Sequence, residues 1–218
     1  MVLINNGEEW VEIQSDPKLV FVIKPGSGTY YNKEAYKKLE EIYEVVYFGQ
    51  SGGEYDKYPL GWENNNSILN IGFHLGGIAQ LVKEFIFSNN KVPSIFIVGS
   101  RGGQVTIGKI WESIWQGPTI IINAGCLATN TRIPLKVTPI FVTMKWDYFE
   151  MVNTYYKIKT LFDNLKTKNN QLGYSLHLEN QSHMPKLNGN LLNLLLDCSD
   201  FLKGKTDKNF KYYNIKII

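Results

Sequence analysis

Six short apolar runs, set apart by stretches of helical periodicity, constrain this chain more than any other feature. They are Leu19-Val20-Phe21-Val22-Ile23, Glu44-Val45-Val46-Tyr47-Phe48, Ser94-Ile95-Phe96-Ile97-Val98, Thr119-Ile120-Ile121-Ile122, Val137-Thr138-Pro139-Ile140-Phe141-Val142 and Tyr174-Ser175-Leu176-His177-Leu178. Each is strand-length and rich in β-branched or aromatic residues, and a strand apolar on both faces must be covered on both, as in a parallel sheet. Between the runs, the spacing of apolar residues predicts helices over about 33–42, 68–87, 104–115 and 148–166, with a last one over 191–202. Strands alternating with helices in this way predict an α/β chain, a doubly wound and mostly parallel sheet with helices on both faces. Ahead of it, residues 2–4 and 10–14 flank Asn5-Asn6-Gly7, turn chemistry that predicts an N-terminal antiparallel β-hairpin.

No repeat, low-complexity tract or linker divides the 218 residues, so one domain over 1–218 is expected, with the basic, aromatic stretch 204–218 as a tail or an edge strand. A chain of this length with 44% hydrophobic residues and a net charge of +3 can bury a core, which excludes disorder. The 23 basic and 20 acidic residues are interspersed, with no run that tracks phosphates, and no nucleic-acid partner is expected. No window reaches the roughly 18 apolar residues of a membrane span, and the first residues lack signal-peptide character; the expectation is a soluble, cytoplasmic protein. Cys126 and Cys198 fit neither a disulfide framework nor a zinc site, so reduced thiols, no metal and no cofactor are expected.

In doubly wound sheets, chemistry sits where loops leave the carboxyl ends of the strands. After the third run, Val98-Gly99-Ser100-Arg101-Gly102-Gly103-Gln104 turns from strand to helix with Ser100 at its apex. Small neighbours let strand and helix pack closely around a serine held on a strained turn. The helix start adds N–H groups and the positive end of a dipole, suited to a developing oxyanion. The same residues also occur in ordinary glycine-rich turns and phosphate loops.

This segment resembles the nucleophile elbow, G-x-S-x-G, of the α/β-hydrolases: Ser100, Gly102 and the following Gly103 match, and Val98 stands where that family usually has its first glycine. The resemblance spans about residues 18–202 and implies a Ser-Asp-His triad. It makes Ser100 the nucleophile. It makes Asp147, in Val142-Thr143-Met144-Lys145-Trp146-Asp147-Tyr148, the acid that orients the base, and His183, in Glu179-Asn180-Gln181-Ser182-His183-Met184-Pro185, the general base. Taken by themselves, Asp147 reads as a helix N-cap and His183 as an exposed loop histidine. The resemblance further implies two oxyanion donors. One is the backbone N–H of Arg101; the other comes from Lys24-Pro25-Gly26-Ser27-Gly28, at Ser27 or Gly26, since Pro25 has no N–H. Without the resemblance, that loop is a glycine-rich strand-to-helix turn.

Larger relatives insert a lid between the strands that here end at Ile122 and begin at Val137, and the short connection implies an open site. Tyr58 and Trp62, in the aromatic loop 55–62, and Trp146 are the candidate substrate contacts. Other features carry less. His74-Leu75-Gly76-Gly77 falls in a helical stretch and reads as helix packing, His177 alternates within a strand, and Gly49-Gln50-Ser51-Gly52-Gly53 lacks the Lys-Ser/Thr of a P-loop. The side chain of Arg101 fits either a rim salt bridge or an anionic substrate group. The expected activity is that of a serine hydrolase, esterase-like, acting on a small-molecule carboxylester or related acyl compound through an acyl-enzyme. The alternatives are a non-catalytic binding or structural protein of the same fold, or a flavodoxin-like cofactor binder, which needs neither Asp147 nor His183. The oligomeric state is left open.

Overall fold

The computed structural model describes residues 1–23, 39–48, 71–123, 133–134, 136–146, 174–182 and 190–202; at 71–75, 101, 143–146, 174–182, 190–192, 194–195 and 201 the description is of the backbone. The expected hairpin forms from β1 (Val2–Asn5) and β2 (Trp10–Ile13), paired antiparallel with Val2 opposite Ile13. Its turn is held by side chains: Asn5 Oδ1 accepts the Gly7 N–H at 2.8 Å, and Asn6 Oδ1 accepts the N–H groups of Glu8 and Glu9 at 2.9 and 3.0 Å.

All six expected strands form. β3 (Asp16–Ile23), β4 (Glu44–Phe48) and β5 (Pro93–Gly99) are joined by β7 (Thr119–Ile122), β8 (Pro139–Trp146) and β9 (Tyr174–Ser182), after β6 (Trp115–Gln116), which belongs elsewhere. Their order is β4-β3-β5-β7-β8-β9, and every neighbouring pair is parallel. From β3 the chain steps outward to β4, then returns to the other side of β3 and continues from β5 to β9. The order therefore reverses between β3 and β5, and the crevice beyond the carboxyl ends of those two strands is where a sheet of this kind takes its ligand.

Leu19 to Ile23 are all fully buried and β5 is buried throughout, as continuous apolar strands require. Leu19, Phe21 and Ile23 share a core cluster with Phe96 and Val98, onto which α1 (Ile71–Asn89) lays Ile78, Val82 and Ile86, spaced by four residues. Phe21 packs Phe48 at 5.0 Å and meets Phe96 edge-on at 5.4 Å. The alternate residues Val20, Val22, Ile95 and Ile97 are equally buried on the opposite face. Asn90, left-handed at φ 50, ends α1, with the Lys91 N–H reaching back to the Ile86 carbonyl at 3.3 Å. The last helix among the described residues, α4 (Asn190–Leu202), brings in Cys198 and Ser199, both fully buried.

Some expected boundaries shift. The third helix starts at Arg101 rather than 104, as α2 (Arg101–Val105), passes into a π-helical turn over Thr106–Ile110 and ends with α3 (Trp111–Ser113). Trp115, expected in that helix, instead opens β6, which pairs Trp115 with Ile4 as the third strand of the hairpin sheet. A tryptophan suits either period, and its partner Ile4 is far away in sequence. β8 runs on to Trp146 and β9 to Ser182, so residues 179–182, expected in a loop, are strand. Pairing with β8 reaches Met144 opposite Leu178, shifts register, and resumes at Trp146 opposite Ser182, which carries the strand past Glu179, Asn180 and Gln181 despite their poor strand propensity. The helix expected over 148–166 and the segment 204–218 lie outside the described residues, as does most of the helix expected over 33–42. Among the described residues no helix is long and apolar enough to cross a membrane.

Candidate active site

Ser100 follows the last residue of β5 with φ 48 and ψ −114, a conformation that side chains rarely adopt. Two backbone bonds hold it there. Its N–H donates to the Ile122 carbonyl at 2.9 Å, and its own carbonyl accepts the Gly103 N–H at 3.0 Å, closing the turn into α2. The strain is local and belongs to a serine that stands at the carboxyl edge of the sheet, beside the point where the strand order reverses.

The glycine two residues on has a steric cause. A Cβ on Gly102 would stand 2.5 Å from the Ile23 carbonyl oxygen and 3.0 Å from Ile23 Cγ2, so only glycine lets the helix start pass the end of β3. Val98 is accounted for by the same geometry. It lies inside β5, fully buried and paired with Ile23 and Ile121, two residues before the turn, where the chain is still extended strand and needs no glycine. Thr106, fully buried in the following π-helical turn, donates its hydroxyl to the Gly102 carbonyl at 2.9 Å and fastens the start of the helix. Irregular turns of this kind inside helices recur near functional sites.

Arg101 is the first residue of α2, directly after Ser100. Ile23 ends β3 opposite Val98, on the strand next to that of Ser100. β8 and β9 end on a register pair, Trp146 with Ser182, and Asp147 and His183 are the next residue after each. Neighbouring strands lie about 4.8 Å apart. Of the candidate site residues, Ser100, Arg101 and Trp146 are described, and Trp146 is the last residue of β8. Asp147, His183, Gly26, Ser27, Tyr58 and Trp62 lie outside the described residues, as does Gly49-Gln50-Ser51-Gly52-Gly53.

Sequence reasoning passed over Asn123. It follows β7, is 3% exposed and left-handed at φ 45, and its N–H donates to the Val142 carbonyl at 2.8 Å. The available signal was a polar residue closing the run Ile120-Ile121-Ile122 at the carboxyl edge of the sheet. Elsewhere, His74 lies in α1 as expected, and a Cβ on Gly76 or Gly77 meets nothing within 4 Å among the described residues. Burial, with the nearby Asp197 carboxylate adding to it, pushes the Cys198 thiol far above its ordinary range; it is a core residue, not a nucleophile.

No family model matches the chain, and no curated protein matches it in sequence. Solved structures do match in shape. XC6422 from Xanthomonas campestris, an α/β serine hydrolase without a lid, is 15% identical with a TM-score of 0.54, the match covering 95% of this chain and 89% of that one. The esterase PE8 is 11% identical with a TM-score of 0.55, covering 88% and 94%. A variant of SOBER1 from Arabidopsis thaliana is 8% identical with a TM-score of 0.58, covering 85% and 99%. At such identities the likeness is one of fold, and the fold is that of the α/β-hydrolases.

Proposed function

We propose that this α/β-hydrolase fold is a single-domain serine hydrolase acting on a small carboxylester or related acyl substrate. Ser100 Oγ attacks the acyl carbon as His183 takes its proton, and Asp147 orients the imidazole and balances its charge. The tetrahedral oxyanion is met by the backbone N–H of Arg101 and by a donor of the 24–28 loop, Gly26 or Ser27. Collapse breaks the bond to the alkoxide, which takes the proton from His183 and leaves an acyl-enzyme; water, deprotonated by His183, then frees the acid and restores Ser100. Tyr58, Trp62 and Trp146 line the acyl side, and no metal or cofactor enters these steps. A free thiol at Cys198 suits a reducing compartment, and we place the activity in the cytoplasm.

The observation that carries this reading is Ser100 itself, a non-glycine residue at φ 48 on the strand-to-helix turn, with Gly102 enforced behind it by the Ile23 carbonyl. A turn with no chemical task takes glycine at such a φ without strain; a strained serine in that place keeps a hydroxyl at the edge of the sheet. The chain order Ser, Asp, His and the ending of β8 and β9 on one register pair lend further support. The test is hydrolysis of a chain-length series of p-nitrophenyl esters by the native chain and by Ser100→Ala, His183→Ala and Asp147→Asn. The expected result is loss of nearly all catalysis in the first two and a fall of about 10²- to 10⁴-fold in kcat in the third. Native rates in Ser100→Ala would contradict the assignment.

A further inference from the structure

We infer that Asn123 is a positioning residue for the Ser100 site, its buried carboxamide holding the carboxyl edge of the sheet in the arrangement that the serine requires. The inference rests on the reading of Ser100 as nucleophile. Its starting point is one peptide unit, the one joining Ile122 to Asn123. Its carbonyl accepts the Ser100 N–H at 2.9 Å, and its N–H donates to the Val142 carbonyl at 2.8 Å. That single unit ties the serine turn to β8, the strand that runs on to Trp146.

Three non-glycine residues among those described have positive φ: Asn90, Ser100 and Asn123. Asn90 is exposed at the end of a helix, where a left-handed asparagine is an ordinary cap. Asn123 has nearly the same φ, 45 against 50, but is 3% exposed. Backbone demand does not explain it, because glycine meets that demand with no side chain to desolvate. A buried carboxamide is tolerated where its two N–H donors and its oxygen are engaged. Unlike a carboxylate or an imidazole, it stays neutral at any working pH, so it can fix neighbouring groups without competing for the proton that Ser100 gives up. A left-handed turn that carries a buried amide, one peptide away from the bond that holds the serine, is the arrangement expected of a group that sets geometry and does not react.

Two variants separate positioning from folding. Asn123→Gly relieves the backbone and removes the amide; Asn123→Asp keeps shape and left-handed tolerance but removes the N–H donors. The measurements are kcat and KM on a p-nitrophenyl ester, the rate of fluorophosphonate labelling, and the melting temperature. We expect kcat and the labelling rate to fall about 10- to 100-fold in both variants, as small misplacements of reacting groups do, with KM within about twofold and with both variants still unfolding cooperatively above the assay temperature. Native kcat in Asn123→Gly, or in Asn123→Asp should the glycine variant fail to fold, overturns the inference, as does a loss of kcat matched by a loss of folded protein in both variants. If the native chain shows no Ser100-dependent labelling, the hydrolase reading falls and this inference falls with it; labelling in the native chain and at an equal rate in Asn123→Gly removes this inference alone.

Discussion

The carbonyl oxygen of Ile23, the last residue of β3, lies 2.5 Å from the point that a Cβ on Gly102 would occupy. The contact is with backbone at the end of a buried central strand, so no side-chain rotation relieves it. Gly102→Ala must push the start of α2 away from β3, and with it the turn that carries Ser100. Overpacking of this kind costs about 1–3 kcal/mol. Thermal unfolding should show a midpoint lower by roughly 5 °C for a chain of this size. Because the displaced turn is the one that mounts the serine, ester turnover should fall further than the loss of folded protein explains.

Ser100 holds a strained φ that glycine adopts freely. Ser100→Gly and Ser100→Ala should both be inactive, yet differ in stability. The glycine variant sheds strain of about 1–3 kcal/mol against an entropic loss of about 0.5–1 kcal/mol, a net gain near 1 kcal/mol. Ser100→Ala keeps its Cβ, and the strain with it. Urea titration of the two variants checks this; equal midpoints would mean that the turn stores no strain.

Tyr43, just ahead of β4, joins the far end of the chain to the sheet: the buried Ser199 donates to its hydroxyl at 3.1 Å, and that hydroxyl donates to Asp200 Oδ1 at 3.4 Å. Tyr43→Phe leaves the Ser199 hydroxyl buried with its partner gone. A loss of about 1–2 kcal/mol in chemical denaturation is expected, with ester hydrolysis unchanged under conditions in which the variant is folded.

Cys198 gives a pH dependence with a definite sign. Its folded-state pKa is raised, first by burial and then by Asp197, above the ordinary thiol value that it regains on unfolding. The stability from keeping it protonated is complete below that ordinary value, about 8.5, and drains away as pH rises beyond it, because the unfolded chain then releases a proton that the folded chain retains. Denaturation midpoints should decline above about pH 9 less steeply in Cys198→Ala than in the native chain. Iodoacetamide should leave Cys198 unmodified in native protein at pH 8 and modify it in urea.

The sheet was legible because strands buried on both faces appear as continuous apolar runs; β4 and β7 begin and end where those runs do. What extended past the runs was not legible. β8 and β9 run on to Trp146 and Ser182 because their main chains pair again there after a register shift, a cause that side-chain polarity does not register. β6 was hidden for a related reason, since Trp115 becomes a strand residue only by pairing with Ile4. Around the site, Gly102 stood out by its spacing from Ser100, but its steric partner Ile23 lies on another strand, distant in sequence. Asn123 went unread because neither its burial nor its φ has a local signature. The roles of Asp147, His183, Gly26 and Ser27 rest on the resemblance and on the strand ends from which these residues follow.

On the proposed reading, Ser100 is an activated nucleophile. Incubating the native chain with a fluorophosphonate probe, and locating the adduct by mass spectrometry of its peptides, tests it most directly. One stoichiometric adduct is expected, on Ser100, absent from Ser100→Ala and strongly slowed in His183→Ala. A folded native chain that takes no label, or one labelled elsewhere with Ser100 unmodified, would contradict it.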